Sequence, residues 1–279
     1  MADNAEYSKD LDVIEEYMKQ YGGGEVHLSN EYWNEGIAII TLDNPQKRNA
    51  ISGKMMADFR KCVQRLQQWK NGKAVILQGA NHNFCSGGDL DFVRTCHTEK
   101  DAYYFSYLMA ETLDSFSRLP LISIALVHGP TLGGGAEIAV SCDYILVTST
   151  TKLGFVHGKM GITTAWGGAT RLCKKIGRKK AMDLFLTSKI LNPHECVEIG
   201  LADDILDGEH HLKECLNWTR KRTQHHVSLI GAFKEATLLM EDDPEESMKR
   251  ERELLLPLWG GPANKEALSR NIKHIPNKI

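Results

Sequence analysis

The chain has 279 residues, of which 42% are hydrophobic and 25% charged, a composition that allows a large buried core. Its formal net charge of −2 excludes the basic surface typical of nucleic-acid-binding proteins, so no nucleic-acid partner is expected. The seven cysteines are scattered and never form a Cys-x-x-Cys pair, which argues against a disulfide scaffold or a zinc site and favours a reducing compartment.

The first predicted element is an amphipathic helix over residues 11–21, ended by three glycines at positions 22–24. We interpret residues 1–24 as a peripheral arm before the main domain. The arm contains no arginine and lacks the apolar stretch of a signal peptide. No later apolar run is long enough to cross a bilayer. A cytosolic protein without a membrane partner is therefore expected.

Strand and helix patterns then alternate, which predicts an α/β fold. Helical spacing of apolar residues covers 55–69, and a second helical stretch ends near residue 118. The predicted strands are 36–42, 74–78, 121–127 and 143–147. After Pro193, which suits the first turn of a helix, the chain is mostly helical. We predict a core domain over residues 25–210 and a C-terminal helical cap over 211–279.

Two predicted strands end in glycine-rich turns, "FCSGGDL" with Gly88 and "TLGGGAE" with Gly134 and Glu137. Glycine lets backbone N–H groups approach a ligand closely, and N–H groups at the start of a helix favour developing negative charge. Two such turns facing each other would form an oxyanion hole. The alternative is that the glycines serve only tight turns. Neither turn has the Gly-Lys-Ser/Thr ending of a phosphate-binding loop.

The segments "TLDNPQKRNAI", "FCSGGDL", "GPTLGGGAEIAVSCDYILV" and "GITTAWGGATRL" occur in an order that resembles the crotonase (enoyl-CoA hydratase/isomerase) superfamily. The resemblance implies a spiral of ββα units that binds an acyl-CoA thioester. It implies oxyanion donors at Gly88 and Gly134 and a catalytic glutamate at Glu137. It also implies a homotrimer or hexamer built with the C-terminal helices. No cofactor is expected, since coenzyme A is part of the substrate.

One position departs from the hydratase pattern, in which a second glutamate precedes a glycine by four residues. Counting back from Gly161 in "FVHGKMG" places His157 there. With the tryptophan of "WGG" and the terminal "WGGPANKEAL", this departure resembles decarboxylases of the superfamily. The expected enzyme is a carboxy-lyase acting on short branched malonyl-CoA thioesters, such as ethylmalonyl-CoA and methylmalonyl-CoA, through an enolate. The alternatives are an enoyl-CoA hydratase or isomerase that uses Glu137 alone, and a non-catalytic binding module.

Decarboxylation next to a thioester needs stabilisation of the enolate, and an apolar pocket for the departing carboxylate favours it. Phe84, Phe155 and Trp166 are candidate walls of that pocket, although Trp166 fits simple core packing equally well. The α-carbon then needs a proton, which His157 or Glu137 could supply. The sequence does not choose between these two residues.

Basic residues are candidates for contacts with the phosphates of coenzyme A. Lys47 and Arg48 lie in the turn where members of the superfamily meet the adenosine and phosphates, and Lys234 on a late helix is a weaker candidate. A surface role is the alternative for Lys47 and Arg48.

Several other side chains are not expected to carry chemistry. Cys85 is interpreted as a small packing residue, because nothing beside it in the sequence would lower the pKa of its thiol. Three histidines lack metal-ligand spacing and are expected on the surface or in loops, and no metal site is predicted. They are His82, His97 and His128.

Overall fold

Two sheets form the framework of the protein, whose computed structural model describes residues 7–96, 98–239 and 244–269. The larger sheet has six strands in the order β1-β2-β3-β4-β6-β9, and the smaller has three in the order β5-β7-β8. The strands are β1 (Glu25–Ser29), β2 (Ile37–Asp43), β3 (Ala74–Gly79), β4 (Ile122–Val127), β5 (Pro130–Leu132), β6 (Tyr144–Thr148), β7 (Lys152–Gly154), β8 (Ile190–Leu191) and β9 (Asp204–Leu206). The helices are α1 (Leu11–Met18), α2 (Gly53–Gln67), α3 (Leu90–Thr95), α4 (Glu99–Ser117), α5 (Gly134–Val140), α6 (Gly168–Ile176), α7 (Arg178–Thr187), α8 (Pro193–Glu198), α9 (His211–Arg222), α10 (Val227–Leu239), α11 (Pro244–Leu255) and α12 (Pro262–Ser269).

The larger sheet is parallel except at β1, which pairs antiparallel with β2. Within it, Ile39 lies opposite Ile76, and Ile76 lies opposite Ile124. Strands covered on both faces carry near-continuous apolar runs. Such runs occupy β3 and β4, and both strands were predicted from them.

A long strand, a short segment of a second layer and a helix follow one another repeatedly along the chain. β4 leads into β5 and α5, and β6 leads into β7 and then α6. Earlier parts of the chain contribute single bridges to the second layer, between Ile51 and Gly88 and between Cys85 and Thr131. The expected ββα units are therefore present, and these bridges bring the two glycine turns side by side.

The two faces of the larger sheet bury separate hydrophobic cores. The main core includes residues of α2, α4 and α5, and the second core packs α9 against the sheet through Leu216 and Trp218. Helix α1 contributes Ile14 and Met18, both fully buried, to the main core. This helix is thus packed into the core, whereas a peripheral position was expected for residues 1–24. The boundaries at residues 24 and 210 stay predictions.

The helical stretch expected to end near residue 118 is two helices, α3 and α4. Helix α3 begins after Asp89, whose side chain accepts from Asp91 N, and α4 begins with a capping box between Thr98 and Asp101. The second cap starts a new helix, and the continuous apolar periodicity did not reveal it. Strand β1 and the short strands β5, β7, β8 and β9 were not predicted. The helix start at Pro193 is confirmed.

Candidate active site

The two glycine turns each present a backbone N–H group that secondary structure does not use. Ile51 N donates to the Gly87 carbonyl at 2.8 Å and Asp89 N donates to the Ile51 carbonyl at 2.9 Å, which leaves the Gly88 N–H outside this ladder. Gly134 is the first residue of α5, where an N–H group has no acceptor within the helix. Gly88 and Gly134 thus each have a backbone N–H group outside these hydrogen bonds, and their role as oxyanion donors stays a prediction.

The turns approach each other more closely than larger residues would allow. A Cβ atom on Gly135 would lie 2.1 Å from the Cys85 carbonyl oxygen, and one on Gly87 would lie 3.0 Å from the Leu132 carbonyl oxygen. Gly87 also has a φ of 114°, which favours glycine. The glycines therefore serve the close approach of the backbone and the exposure of its donors together, and the tight-turn reading and the oxyanion reading do not exclude each other.

The carboxylate of Glu137 contacts two backbone N–H groups and one imidazole nitrogen. Its Oε2 accepts from Gly168 N at 2.8 Å and from Trp166 N at 3.0 Å, and its Oε1 lies 3.0 Å from His157 Nε2. The N-cap residue of α6, Gly167, has no side chain to cap the helix, so Glu137 caps it from α5. Its negative charge also faces the positive end of the α6 dipole. With 2% of its surface exposed, Glu137 is held in the interior of the protein.

His157 opens a single 3-10 turn and lies 7% exposed beside Glu137. Its Nε2 lies 4.0 Å from the position that a Cβ on Gly133 would take, so the imidazole borders the second glycine turn. Its Nδ1 is buried, and no partner for it is found among the described residues. His157, Glu137 and the Gly134 turn therefore lie together in the structure.

Trp166 forms the opposite side of the second turn. A Cβ on Gly134 would lie 2.4 Å from the six-membered part of its ring, and the ring centroid of Phe105 lies 5.1 Å away. The Trp166 carbonyl accepts from Arg171 Nη1 at 2.6 Å. Burial lowers the pKa of Arg171. Trp166 is thus both a packed core residue and a neighbour of the candidate donor at Gly134.

The predicted aromatic walls differ in their positions. The ring of Phe155 lies 6.5 Å from that of His157, which places it at the site. Phe84 is fully buried in the main core. Phe105 on α4 was missed, although a Cβ on Gly88 would lie 3.7 Å from its ring. Its helical spacing is that of any core-facing residue, so the sequence carried no signal for it.

Lys47 and Arg48 lie next to the first glycine turn. The Lys47 ammonium contacts both oxygens of Asp89, at 2.8 and 2.9 Å, and Asp91 at 3.0 Å. The hydrogen bonds to these carboxylates raise the pKa of Lys47. The Arg48 carbonyl accepts from Ser86 N at 3.0 Å, while the Arg48 side chain is exposed. Lys47 thus fastens the segment that follows Gly88, and Arg48 presents its guanidinium outward.

Lys234 is not brought to the glycine turns. It is 4% exposed, lies 2.8 Å from Asp143 Oδ2 and donates to the Leu121 carbonyl at 2.6 Å. It therefore fastens α10 to the larger sheet. The contact with coenzyme A suggested for Lys234 gives way to this internal role, since a buried paired ammonium is not free to meet a phosphate.

Cys85 and the three histidines were not expected to carry chemistry. Burial raises the pKa of the Cys85 thiol to about 12, which agrees with its interpretation as an unreactive packing residue. His128 is buried, contrary to expectation, with Nε2 at 3.0 Å from the Gly79 carbonyl, and burial lowers its pKa. His82 has a positive φ in a turn, and His97 lies outside the described residues.

Among the described residues no cluster of potential metal ligands occurs, and no helix has the length and apolar character to span a membrane.

Backbone donors at two glycine turns, displayed by a two-layered ββα fold beside an internal glutamate, define the class of protein. The chain belongs to the enoyl-CoA hydratase/isomerase family, the crotonase superfamily. The family model described as enoyl-CoA hydratase/isomerase matches residues 32–257.

Individual proteins of known sequence or structure are also similar to this chain. The chain is 40% identical over 264 residues to ethylmalonyl-CoA decarboxylase of Bos taurus, covering 93% of this chain and 86% of the relative. It is 37% identical over 274 residues to the protein of that name in Gallus gallus, covering 97% and 91%. Among solved structures, enoyl-CoA hydratase from Thermoplasma volcanium GSS1 superposes with a TM-score of 0.80 at 26% identity, covering 89% of this chain and 97% of that one.

Proposed function

We propose that this protein is a carboxy-lyase that removes CO2 from short branched malonyl-CoA thioesters, such as ethylmalonyl-CoA and methylmalonyl-CoA. The observation that carries the proposal is the contact of Glu137 with His157, 3.0 Å apart, where the hydratase pattern has two glutamates. The relatives named ethylmalonyl-CoA decarboxylase support it, since they match almost the whole chain at 37 to 40% identity.

The reaction begins with the thioester carbonyl between the two glycine turns. The N–H groups of Gly88 and Gly134 donate to the carbonyl oxygen, and they donate more strongly as that oxygen becomes an enolate oxygen. The bond between the α-carbon and the substrate carboxylate breaks, its electron pair enters the enolate, and CO2 leaves. No base is needed for this step.

The departing carboxylate is placed against aromatic side chains. Trp166, Phe105 and Phe155 supply apolar surface beside Gly134, Gly88 and His157 respectively. A cation paired with the substrate carboxylate would stabilise the ground state as much as the transition state, which would not accelerate the reaction. Arg171 is a cation close to Trp166, and its guanidinium donates to the Trp166 carbonyl. An apolar pocket therefore suits loss of CO2.

Hydration of an enoyl-CoA is the alternative enzymatic activity, and the site suits it poorly. Hydration in this family would use two carboxylates around one water, but Glu137 is already engaged by two backbone N–H groups and an imidazole. Isomerisation through Glu137 alone meets the same obstacle. A non-catalytic binding module would have no need for the buried Glu137–His157 pair next to exposed backbone donors.

The proposal extends to the setting of the enzyme. We expect activity without a metal or organic cofactor, and therefore activity that survives treatment with a chelator. A cytosolic homotrimer or hexamer is proposed, and apolar side chains exposed on neighbouring parts of the 3-10 turn, α7 and the segment between them support self-association. They are Met160, Ile162, Met182 and Leu186.

The test supplies purified protein separately with ethylmalonyl-CoA, methylmalonyl-CoA and crotonyl-CoA and follows each thioester by mass spectrometry. The proposal predicts conversion of ethylmalonyl-CoA to butyryl-CoA and of methylmalonyl-CoA to propionyl-CoA, with little hydration of crotonyl-CoA. Preferential hydration of crotonyl-CoA would establish an enoyl-CoA hydratase. The absence of turnover of any thioester would establish a non-catalytic binding module.

A further inference from the structure

Resting on the proposed function, we propose that Glu137 is a positioning residue that fixes the tautomer of His157, and that His157 Nδ1 delivers the proton to the enolate carbon. The sequence left both side chains as candidates for that proton. Their contacts assign them different tasks.

Glu137 is unsuited to deliver a proton. Backbone N–H groups can only donate, so Oε2, which faces those of Trp166 and Gly168, can only accept. The other oxygen, Oε1, faces the imidazole at 3.0 Å. Both oxygens are therefore occupied inside the protein, and a proton given from either one would break a bond that orders α6 or the imidazole.

The same contact determines which nitrogen of His157 is available. The hydrogen bond between Glu137 Oε1 and His157 Nε2 contains one proton. Any second proton on the pair must then reside on Nδ1. A carboxylate that orients an imidazole through one nitrogen leaves the other nitrogen to exchange protons with the substrate, as in the serine protease triad.

Nδ1 is the nitrogen of His157 that has no hydrogen-bond partner among the described residues. It is buried, and the ring that carries it borders the second glycine turn through Nε2, which lies 4.0 Å from the position that a Cβ on Gly133 would take. Buried ring nitrogens are ordinarily hydrogen-bonded, so an unpaired one beside a candidate reaction site is available to a reacting group. After CO2 leaves, Nδ1–H gives its proton to the α-carbon, the enolate electrons form the new C–H bond, and solvent returns a proton to the imidazole.

Two near-isosteric variants separate the tasks. Glu137→Gln would turn its oxygen to the two backbone N–H groups and its amide N–H toward His157 Nε2, which must then accept, so that the neutral ring carries its proton on Nδ1 and is a poor acid. His157→Gln keeps a donor near the Nε2 position and removes Nδ1. Glu195→Gln is the matched control, because Glu195 likewise accepts a backbone N–H, from Asn192 at 2.8 Å, at the start of α8.

The measurement is exchange of the C2 hydrogens of butyryl-CoA in D2O, followed by mass, together with nitrogen NMR of histidine-labelled protein. Exchange requires proton transfer at the α-carbon but no substrate carboxylate, so it is informative even if decarboxylation is not the activity. We expect Glu137→Gln and His157→Gln to lower the exchange rate by about a hundredfold or more, with butyryl-CoA binding retained and Glu195→Gln unchanged. The His157 resonances should shift from the Nε2–H to the Nδ1–H tautomer in Glu137→Gln.

Failure of this inference is distinguishable from failure of the proposed function. Wild-type exchange in folded His157→Gln would overturn the assignment of Nδ1, and an unchanged His157 tautomer in Glu137→Gln would overturn the positioning role. Absence of CO2 release by the wild-type protein would instead reject the proposed decarboxylation. Circular dichroism of each variant establishes that it is folded.

Discussion

Glu137 Oε1 and His157 Nε2 lie 3.0 Å apart in the interior of the protein, directly behind the second glycine turn. The glutamate comes from α5 and the histidine from the 3-10 turn after β7, so two successive ββα units build one acid–imidazole pair. Because the imidazole stands where a hydratase has its second carboxylate, the pair changes the chemistry that the common fold can support.

The oxyanion donor at Gly88 can be tested by removing one N–H group. Gly88→Pro should lower turnover by about a hundredfold or more, because the proline nitrogen cannot donate to the enolate oxygen. Gly88→Ala is the matched variant, since a Cβ there would meet Val93 and Phe105 at ordinary distances of 3.6 and 3.7 Å and the N–H is kept. Its loss should be much smaller. Equal turnover in the two folded variants would remove Gly88 from the oxyanion hole.

The two cations of the 47–48 turn should affect different kinetic constants. Arg48→Ala should raise KM for coenzyme A thioesters, and less so for thioesters of 3′-dephospho-coenzyme A, because its exposed guanidinium is free to meet a phosphate. Lys47→Ala should mainly lower kcat, since the Lys47 ammonium holds Asp89 beside Gly88. A Lys47→Ala effect on KM that vanishes with the dephospho substrate would instead make Lys47 the phosphate contact.

Lys234 should matter for stability and not for substrate binding. Lys234→Met leaves Asp143 without its buried cation and should lower the free energy of unfolding by about 3–5 kcal/mol, the usual cost of breaking a buried pair. Denaturant unfolding gives that energy, and KM measured well below the melting temperature gives the binding. A stable variant with a raised KM would return Lys234 to the substrate site.

His157→Glu should reduce decarboxylation by about a hundredfold or more, because two carboxylates would face each other near the substrate's own and no imidazole would protonate the enolate. His157→Ala is its control, and it should bind butyryl-CoA while forming product slowly. Steady-state rates with ethylmalonyl-CoA, and hydration of crotonyl-CoA in parallel, give the comparison. Wild-type decarboxylation by folded His157→Ala would make the histidine structural.

The sequence predicted the long elements because their signals are local. Apolar runs predicted β3 and β4, and apolar helical spacing predicted α2. The short strands β5, β7 and β8 have two or three residues each and depend on pairing with distant segments, so no local pattern predicted them. The break between α3 and α4 depends on the Thr98 cap, which the surrounding periodicity concealed.

The candidate site could be predicted as far as spacing in the chain carried it. Gly88, Gly134, Glu137 and His157 were all identified by position, and their roles stay predictions. The sequence could not predict the hydrogen bonds between these residues. The N–H groups that bind Glu137 belong to Trp166 and Gly168, which follow it in the chain by 29 and 31 positions. The burial of Lys234 was missed for the same reason, because its partner Asp143 lies far away in the chain, immediately before β6.

A competition assay tests the central claim most directly. Equal concentrations of ethylmalonyl-CoA and crotonyl-CoA are given to the wild-type protein in one vessel, and both thioesters are followed by mass. The Glu137–His157 pair and the two glycine donors predict that butyryl-CoA accumulates while crotonyl-CoA persists. Accumulation of 3-hydroxybutyryl-CoA with ethylmalonyl-CoA left intact would reject decarboxylation and make the protein a hydratase.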